Sequence, residues 1–231
     1  MLIGGIQKLT LLDYPGRVAA TIFTAGCNFR CPFCHNAPLV TEIDKNYFVD
    51  EEEILSFLKK RVGILDGVVI TGGEPTLMSD LPEFISKIKA MGYDVKLDTN
   101  GTNSDMLEYF INNKMIDYVA MDIKNCIEKY PETAGVSESF DLESVKKSAK
   151  MLMQGAVDFE FRTTVVSPYH TEDDFERIGR WLSGDEKFFL QSFVDSGHLV
   201  GDGVYGATKE EMQLYLNKLK QYVKNAQIRG I

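Results

Sequence analysis

Three of the four cysteines in this 231-residue chain lie on one short segment. They are Cys27, Cys31 and Cys34, spaced C-x3-C-x2-C directly after the apolar run that ends at Phe23. Thiolates this close together are typical of a metal site, because iron and zinc both accept sulfur ligands in a tetrahedral arrangement. A closed site normally takes four protein ligands, and this segment offers three sulfurs. A 4Fe-4S cluster bound here would therefore leave one iron free to bind another group.

Three other interpretations of this segment are open. Structural zinc would need His35 as its fourth ligand, but a histidine adjacent to Cys34 cannot easily reach the same metal at tetrahedral angles. Cys31-Pro-Phe-Cys34-His35 also has the C-x2-C-H form of c-type haem attachment, which belongs to exported proteins. The first residues lack the charged start and apolar core of a signal peptide. For the same reason, a disulfide is not favoured.

The cysteine segment resembles the cluster-binding motif of the radical S-adenosylmethionine (SAM) superfamily, in which an aromatic residue precedes the last cysteine. Phe33 stands at that place. The resemblance implies one 4Fe-4S cluster held by Cys27, Cys31 and Cys34, with the methionine end of SAM on the open iron. It also implies that an electron from the reduced cluster cleaves the SAM sulfonium and gives a 5'-deoxyadenosyl radical. The protein would hold the cluster, orient SAM and exclude competing reactants.

The composition, with 44% hydrophobic and 26% charged residues, fits one large globular domain. The acidic excess, 34 Asp and Glu against 25 Lys and Arg, gives a net charge of -9 and disfavours contact with phosphate backbones. No run approaches the roughly 18 apolar residues of a membrane span. We therefore expect a cytoplasmic protein with neither a nucleic-acid nor a membrane partner.

Strand and helix signals alternate along the chain, which favours parallel pairing with right-handed crossovers. Short runs rich in β-branched and apolar residues predict six strands, over 17–24, 67–71, 93–97, 117–121, 159–166 and 188–193. A complete barrel of this kind has eight strands. The sequence thus predicts an α/β fold with a partial (β/α)6 TIM-like barrel, open on one side. A doubly wound open sheet would give nearly the same order of elements.

One domain, 1–231, is the simplest organisation, because we find no repeat, low-complexity segment or Pro/Ser-rich linker. Its parts would be an N-terminal extension over 1–16, the six-strand partial barrel over 17–193, and a glycine-rich loop with a C-terminal helix over 194–231. The glycine-rich part, 197–206, could be a lid over the site or a flexible loop with no role.

Residues of unusual chemistry recur at the carboxyl ends of the predicted strands, where parallel α/β folds bind ligands. Besides the cysteine segment, they are Gly72, Gly73, Glu74, Asp98, Thr99, Asp122, Lys124, Arg162 and Gln191. Glycines permit close backbone approach, carboxylates suit hydroxyl groups, and fixed cations suit a carboxylate. A plain turn at 72–75, a solvated Lys124 and a buried ion pair at Arg162 are the structural alternatives.

Further segments narrow the resemblance to enzymes that activate glycyl-radical enzymes. C-H-N at 34–36, D-T-N-G at 98–101 and D-I-K at 122–124 are similar to segments of the activating enzymes of pyruvate formate-lyase and anaerobic ribonucleotide reductase. L-L-D-Y-P-G at 11–16 resembles the start of the latter group in its longer form. The matched segments run from the N-terminus to the fifth strand.

By that resemblance, the site residues divide the contacts with SAM among them. The resemblance implies that Gly72, Gly73 and Glu74 contact the amino group of SAM, and that Asp122 and Lys124 contact its ribose or carboxylate. Arg162 would reach the methionine end, and Gln191 would face the adenosine. Asp98 and Thr99 would line the site, with a bound monovalent cation. Segment 37–48 contains no cysteine, so one cluster is all the chain can build. Cys126 is predicted to be a buried or incidental thiol, with a catalytic or redox role as the alternative.

The resemblance implies an activase that generates a glycyl radical on an anaerobic ribonucleoside-triphosphate reductase, reduced by a donor such as flavodoxin or ferredoxin. Within the same chemistry, the alternatives are another glycyl radical enzyme, a peptide or a small molecule as substrate. A one-cluster electron carrier or scaffold and a zinc-stabilised binding module are rivals from other classes. Neither rival explains the polar residues at the ends of the later strands.

Overall fold

The computed structural model describes residues 1–41, 43, 48–184, 187–195 and 197–230. Its strands are β1 (Ile3–Thr10), β2 (Ala19–Thr24), β3 (Gly67–Gly72), β4 (Asp94–Thr99), β5 (Tyr118–Asp122), β6 (Asp158–Ser167), β7 (Phe188–Ser192), β8 (Tyr205–Gly206) and β9 (Gln227–Arg229). Its helices are α1 (Ala37–Val40), α2 (Glu51–Lys59), α3 (Leu81–Ala90), α4 (Ser104–Asn112), α5 (Tyr130–Ala134), α6 (Glu143–Leu152), α7 (Glu172–Trp181) and α8 (Lys209–Leu219). Residues 196 and 231 of the predicted last part lie outside this description.

One sheet runs through the fold in the order β1-β2-β3-β4-β5-β6-β7-β9. Strands β2 to β7 pair in parallel and follow chain order, whereas a doubly wound sheet reverses its strand order at a switch point. In the described residues, the path ends at β1 on one side and β9 on the other, so the barrel is open. The predicted partial barrel of six parallel strands is confirmed.

The two edge strands were not among the predicted strands. β1 pairs antiparallel with β2, and β9 pairs in parallel with β7. The sequence of β1, IGGIQKLT, contains two glycines and two long polar side chains and gives a weak strand signal. The short β9 has only three residues. Both form because a neighbouring strand supplies the backbone hydrogen-bond partners, which is a tertiary effect.

Alternation along the parallel strands separates two apolar regions. Val68 and Ile70 belong to the large core between the sheet and the helices, whereas Val69 lies with Ala19 inside the barrel. Tyr14 and Tyr118 join this inner cluster, with ring centroids 6.0 Å apart. Filling of the interior by these rings leaves the polar inner positions nearer the carboxyl ends of the strands available for a site. Within the described chain, we find no helix with both the length and the apolar character needed to cross a membrane.

Candidate functional site

All thirteen predicted site residues line one cavity of about 410 Å³. They are Cys27, Cys31, Phe33, Cys34, Gly72, Gly73, Glu74, Asp98, Thr99, Asp122, Lys124, Arg162 and Gln191. The cavity lies at the carboxyl ends of the parallel strands because β2 to β7 all point the same way. Residues far apart in the chain therefore meet at one place, as parallel α/β topology requires.

The backbone of the cysteine segment is held by contacts with several elements. Gly26 N donates to the Leu39 carbonyl at 2.7 Å, and Arg30 N donates to the Ala134 carbonyl at 2.9 Å. The guanidinium of Arg30 also donates to the carbonyls of Cys27 and Phe29, at 2.6 and 2.7 Å. These bonds position the cysteines on a defined loop between β2 and α1.

The sulfur atoms share a partly buried environment close to a lysine. Burial raises the pKa of the Cys31 thiol to about 12, and burial also raises the pKa of Cys27. The ammonium of Lys124 opposes both shifts, and the neighbouring cysteines reinforce that of Cys31, so these groups are near enough to act on one another. The thiolate forms of these residues thus need nearby positive charge, which bound iron would supply.

The donor set fits a 4Fe-4S cluster better than a single zinc ion. In the described part of the chain, no group of three or more His, Cys, Asp or Glu side chains is arranged to hold one metal ion. A cluster spreads its thiolate ligands over several iron atoms, so it accepts more widely spaced sulfurs. His35 belongs to no such group, and its ring stacks on Phe193 with ring centroids 5.2 Å apart.

The two glycines after β3 allow the backbone of that loop to pack against the cysteine segment. Gly73 N donates to the Thr24 carbonyl and Glu74 N to the Gly26 carbonyl, both at 2.8 Å. A Cβ at Gly73 would lie 1.9 Å from the Gly26 oxygen, and one at Gly72 would lie 2.4 Å from Thr24 backbone atoms. The close approach predicted for these glycines is therefore made to another loop of the protein.

Replacing Gly73 with alanine is expected to lower the free energy of unfolding by about 2 kcal/mol, since the added methyl group overlaps a carbonyl oxygen. Displacement of Gly26 should also reduce iron uptake, because Cys27 follows it directly. Gly5→Ala in β1 is the control: no atom lies within 4 Å of its added Cβ. Denaturant unfolding and iron analysis of both variants check this, and equal values for the two would contradict it.

The carboxylate of Glu74 connects the loops that follow β3 and β4. Its Oε1 accepts from Thr76 N at 3.1 Å, Thr76 Oγ1 at 2.6 Å and Thr99 Oγ1 at 2.7 Å, and its Oε2 accepts from Asn100 N at 2.6 Å. Burial raises the pKa of Glu74, and these hydrogen bonds oppose the shift. Since Oε1 has three donors, Oε2 is the oxygen with capacity left for a ligand.

Five charged side chains form a chain of ion pairs along the inner face of β4, β5 and β6. Asp98 Oδ1 accepts from the Lys96 ammonium, and Asp98 Oδ2 lies 3.1 Å from Arg162 Nη2. Arg162 Nε donates to Asp122 Oδ1 at 2.5 Å, and Lys124 Nζ donates to Asp122 Oδ2 at 2.9 Å. With three cations and two anions, the chain has one surplus positive charge, which suits an anionic ligand group.

The ion pairs affect the pKa of both carboxyl groups, Asp98 and Asp122, more strongly than burial does. Burial alone would raise the pKa of Asp122, but Arg162 and Lys124 hold it well below its usual range. At Asp98, burial is likewise outweighed by Arg162 and Lys96, which lower the pKa. Both carboxyl groups are therefore ionised at neutral pH. The ion pair foreseen as the structural alternative for Arg162 is present, and it lies in the cavity wall.

Several residues of the site carried no prediction. Lys96 is buried on β4. It lies two residues before Asp98 and therefore on the same face of the strand, and this spacing could have identified it as a residue of the site. Gln7 and Asp13 reach the cavity from β1 and the turn after it, and Asp13 Oδ2 accepts from Thr21 Oγ1 at 2.7 Å. Asn100 also lines the cavity. The contribution of β1 depends on its antiparallel pairing, which the sequence did not indicate.

The expected monovalent cation does not fit the oxygens that the resemblance assigned to it. The two oxygens of Asp98 already face Lys96 and Arg162, and the hydroxyl of Thr99 donates to Glu74. A further cation beside these oxygens would lie against the protein cations already paired with Asp98 and would be repelled by them.

Comparison with known proteins gives the family. The family model described as the radical SAM superfamily matches residues 21–182. This range includes the cysteine segment, the segment 72–74, both aspartates of the ion-pair chain, and Arg162. The chain belongs to the radical SAM superfamily. Two relatives of this radical SAM protein, both from Methanocaldococcus jannaschii, bear the provisional name of glycyl-radical enzyme activating enzyme. One is 37% identical over 83% of this chain and 80% of its own, the other 31% identical over 71% and 62%.

A solved structure shows the same fold. Streptococcus suis SuiB bound to S-adenosylmethionine matches this radical SAM chain with a TM-score of 0.68 and 16% sequence identity. The match covers 89% of this chain and 48% of SuiB, so the chain spans about half the length of that protein. At this level of identity, the likeness concerns the fold, and it agrees with the partial barrel described above.

Proposed function

We propose that this radical SAM protein is an activating enzyme that generates a glycyl radical on a partner enzyme. The partner we propose is an anaerobic ribonucleoside-triphosphate reductase, with a flavodoxin or ferredoxin as electron donor. The strongest support is that three cysteines and a largely buried chain of ion pairs, with three cations and two anions, meet at one cavity. The names of the two archaeal relatives support the same class of reaction.

In this proposal, Cys27, Cys31 and Cys34 hold a 4Fe-4S cluster and leave one iron open. Once reduced, such a cluster would supply the electron for the cleavage of SAM to methionine and a 5'-deoxyadenosyl radical. Arg162 and Lys124 attract the carboxylate of the methionine end, and Asp122 keeps both cations in place through its bonds at 2.5 and 2.9 Å. SAM as the ligand is also supported by its presence in SuiB.

The remaining residues shape the rest of the cavity. Gly72 and Gly73 bring the β3 loop against the cysteine segment, and Glu74 joins this loop to Thr99, which follows Asp98 at the end of β4. Phe33 is buried next to Tyr169, with ring centroids 6.4 Å apart, and lines the cavity beside the cysteines. Gln191 lines the cavity from β7 and is proposed to face the adenosine.

We propose that residues 1–231 form one domain and that the partner reaches the cavity through the open side of its barrel. The loop 197–206 lies beside the cysteine segment, where Gly201 N donates to the Pro32 carbonyl at 2.9 Å. Its end, β8, pairs with Val166 and Ser167 of β6. A loop attached at these two points can act as a lid over the cluster when the glycine-bearing segment enters. A reducing cytoplasm, in which clustered thiols stay free, completes the proposal.

The test starts with the anaerobically reconstituted protein. We expect the electron paramagnetic resonance spectrum of the reduced cluster to shift when SAM is added, and 5'-deoxyadenosine to form. Adding the anaerobic reductase should then produce a glycyl radical signal whose splitting collapses when the partner contains deuterated glycine. SAM cleavage without any partner radical would refute the proposed partner and leave a peptide or small molecule as substrate. An unchanged spectrum without cleavage would refute the activase and favour an electron carrier or scaffold.

A further inference from the structure

Lys96 is a buried lysine that pairs with a carboxylate of the cavity wall. Its relative exposure is 1%, and it lies on β4 opposite Val69 of β3 and Tyr118 of β5. Burying an ammonium group is costly unless a paired charge compensates for it. The compensating charge is Asp98, which accepts from the Lys96 ammonium and lines the cavity. The main effect of Lys96 is therefore expected at Asp98.

Protein cations face all four carboxylate oxygens of Asp98 and Asp122. Asp98 faces Lys96 and Arg162, and Asp122 faces Arg162 and Lys124. A sodium or potassium ion needs several oxygen ligands at once, and a positive charge already stands against each of these oxygens. Without Lys96, the chain would hold two cations and two anions, and Asp98 Oδ1 would face the cavity with no counter-ion of its own.

We infer that Lys96 is the built-in counter-ion of Asp98 and takes the place of a bound monovalent cation, so that the cavity works without added sodium or potassium. Lys96 is then a positioning residue. It acts through Asp98, which holds one end of the Arg162 guanidinium by its contact at 3.1 Å. It also contributes the surplus positive charge that favours an anionic ligand group. This second effect rests on the proposed SAM site, whereas the replacement of a cation does not.

The experiment uses the full chain with its cluster reconstituted, in buffers of equal ionic strength that contain sodium, potassium or choline chloride. The first measurement is the thermal unfolding midpoint, and the second is the dissociation constant of SAM. Lys96→Met removes the charge while keeping most of the side-chain length. Lys89→Met is the control for the loss of a lysine ion pair outside the cavity, because Lys89 pairs with Asp117 at 2.7 Å in a more exposed position.

The wild-type protein and Lys89→Met are expected to have the same midpoint in all three salts. In Lys96→Met, sodium or potassium should raise the midpoint in a saturable way by roughly 3 °C over choline, because an ion that binds only the folded state stabilises it. SAM affinity of Lys96→Met should fall about tenfold in choline and recover by a similar factor when the cation is added, since the coupling is reciprocal.

Two results would overturn the inference. One is a saturable response of the wild-type midpoint to sodium or potassium that disappears in Asp98→Asn. The other is a folded Lys96→Met, or its alternative Lys96→Gln, that responds to neither ion. If neither variant folds, the wild-type titration decides: a saturable response refutes the built-in counter-ion, and none supports it. Loss of SAM binding in the wild-type protein would instead refute the proposed function, with the cation result still standing.

Discussion

Replacing Cys31 with serine is expected to reduce the iron content from about four atoms per chain to near zero and to abolish SAM cleavage. Iron-sulfur clusters depend on soft thiolate ligands, and a serine hydroxyl is a poor substitute. Cys31 is buried, so water cannot readily take over the vacated position. Iron and sulfide analysis, together with the 5'-deoxyadenosine assay, measure both effects.

The matched control is Cys126→Ser, which changes another buried cysteine. Cys126 Sγ lies 3.6 Å from Asp174 Oδ1, and burial raises the pKa of its thiol to about 11. Its burial agrees with the prediction from the sequence. Since Cys126 does not line the cavity, this variant should keep its iron. Full cluster content in Cys31→Ser, or an equal loss in Cys126→Ser, would refute the ligand assignment.

Replacing Arg162 with glutamine is expected to lower the free energy of unfolding at pH 7 by about 3 kcal/mol. The guanidinium lies between the buried carboxylate of Asp98, at 3.1 Å, and the partly buried carboxylate of Asp122, at 2.5 Å. Its removal leaves both with weaker compensation from Lys96 and Lys124. Urea unfolding measures the loss. Arg162→Lys keeps the charge but cannot bridge both carboxylates, so we expect an intermediate value for it.

The pH dependence separates electrostatics from packing in this prediction. In the wild-type protein, both carboxyl groups have pKa values below the usual 3.9 or so of an aspartate, so their pairing adds stability above that pH and loses it on acidification. In Arg162→Gln, these pKa values should rise, and protonation should begin at higher pH. The difference in stability between wild type and variant should therefore be largest near pH 7 and shrink towards pH 4. A difference that stays constant over this range would indicate lost packing instead.

Much of this protein could be predicted from short-range features of its sequence. The six parallel strands are buried runs of β-branched and apolar residues, and their alternation with helices restricts the topology to few choices. The cysteine spacing is equally local, because three sulfurs within one loop must lie close together in any fold. The residues after each strand followed from the rule that parallel strands end at the same edge. For these reasons, all thirteen predicted site residues meet in one cavity.

Several hydrogen bonds and ion pairs of those residues join segments that are far apart in the sequence, so no short-range sequence pattern predicts them. β1 becomes a strand because β2 supplies its hydrogen-bond partners, and only this pairing brings Asp13 to the cavity. Position 73 must be glycine because the Gly26 carbonyl of another loop lies where a Cβ atom would be. Glu74 accepts hydrogen bonds from Thr99 and Asn100 at the end of the neighbouring strand. The sequence alone therefore determined thirteen of the residues that line the site, and the pairing of β1 added others. The tertiary structure decided which charge neutralises which, since that depends on atomic distances between strands.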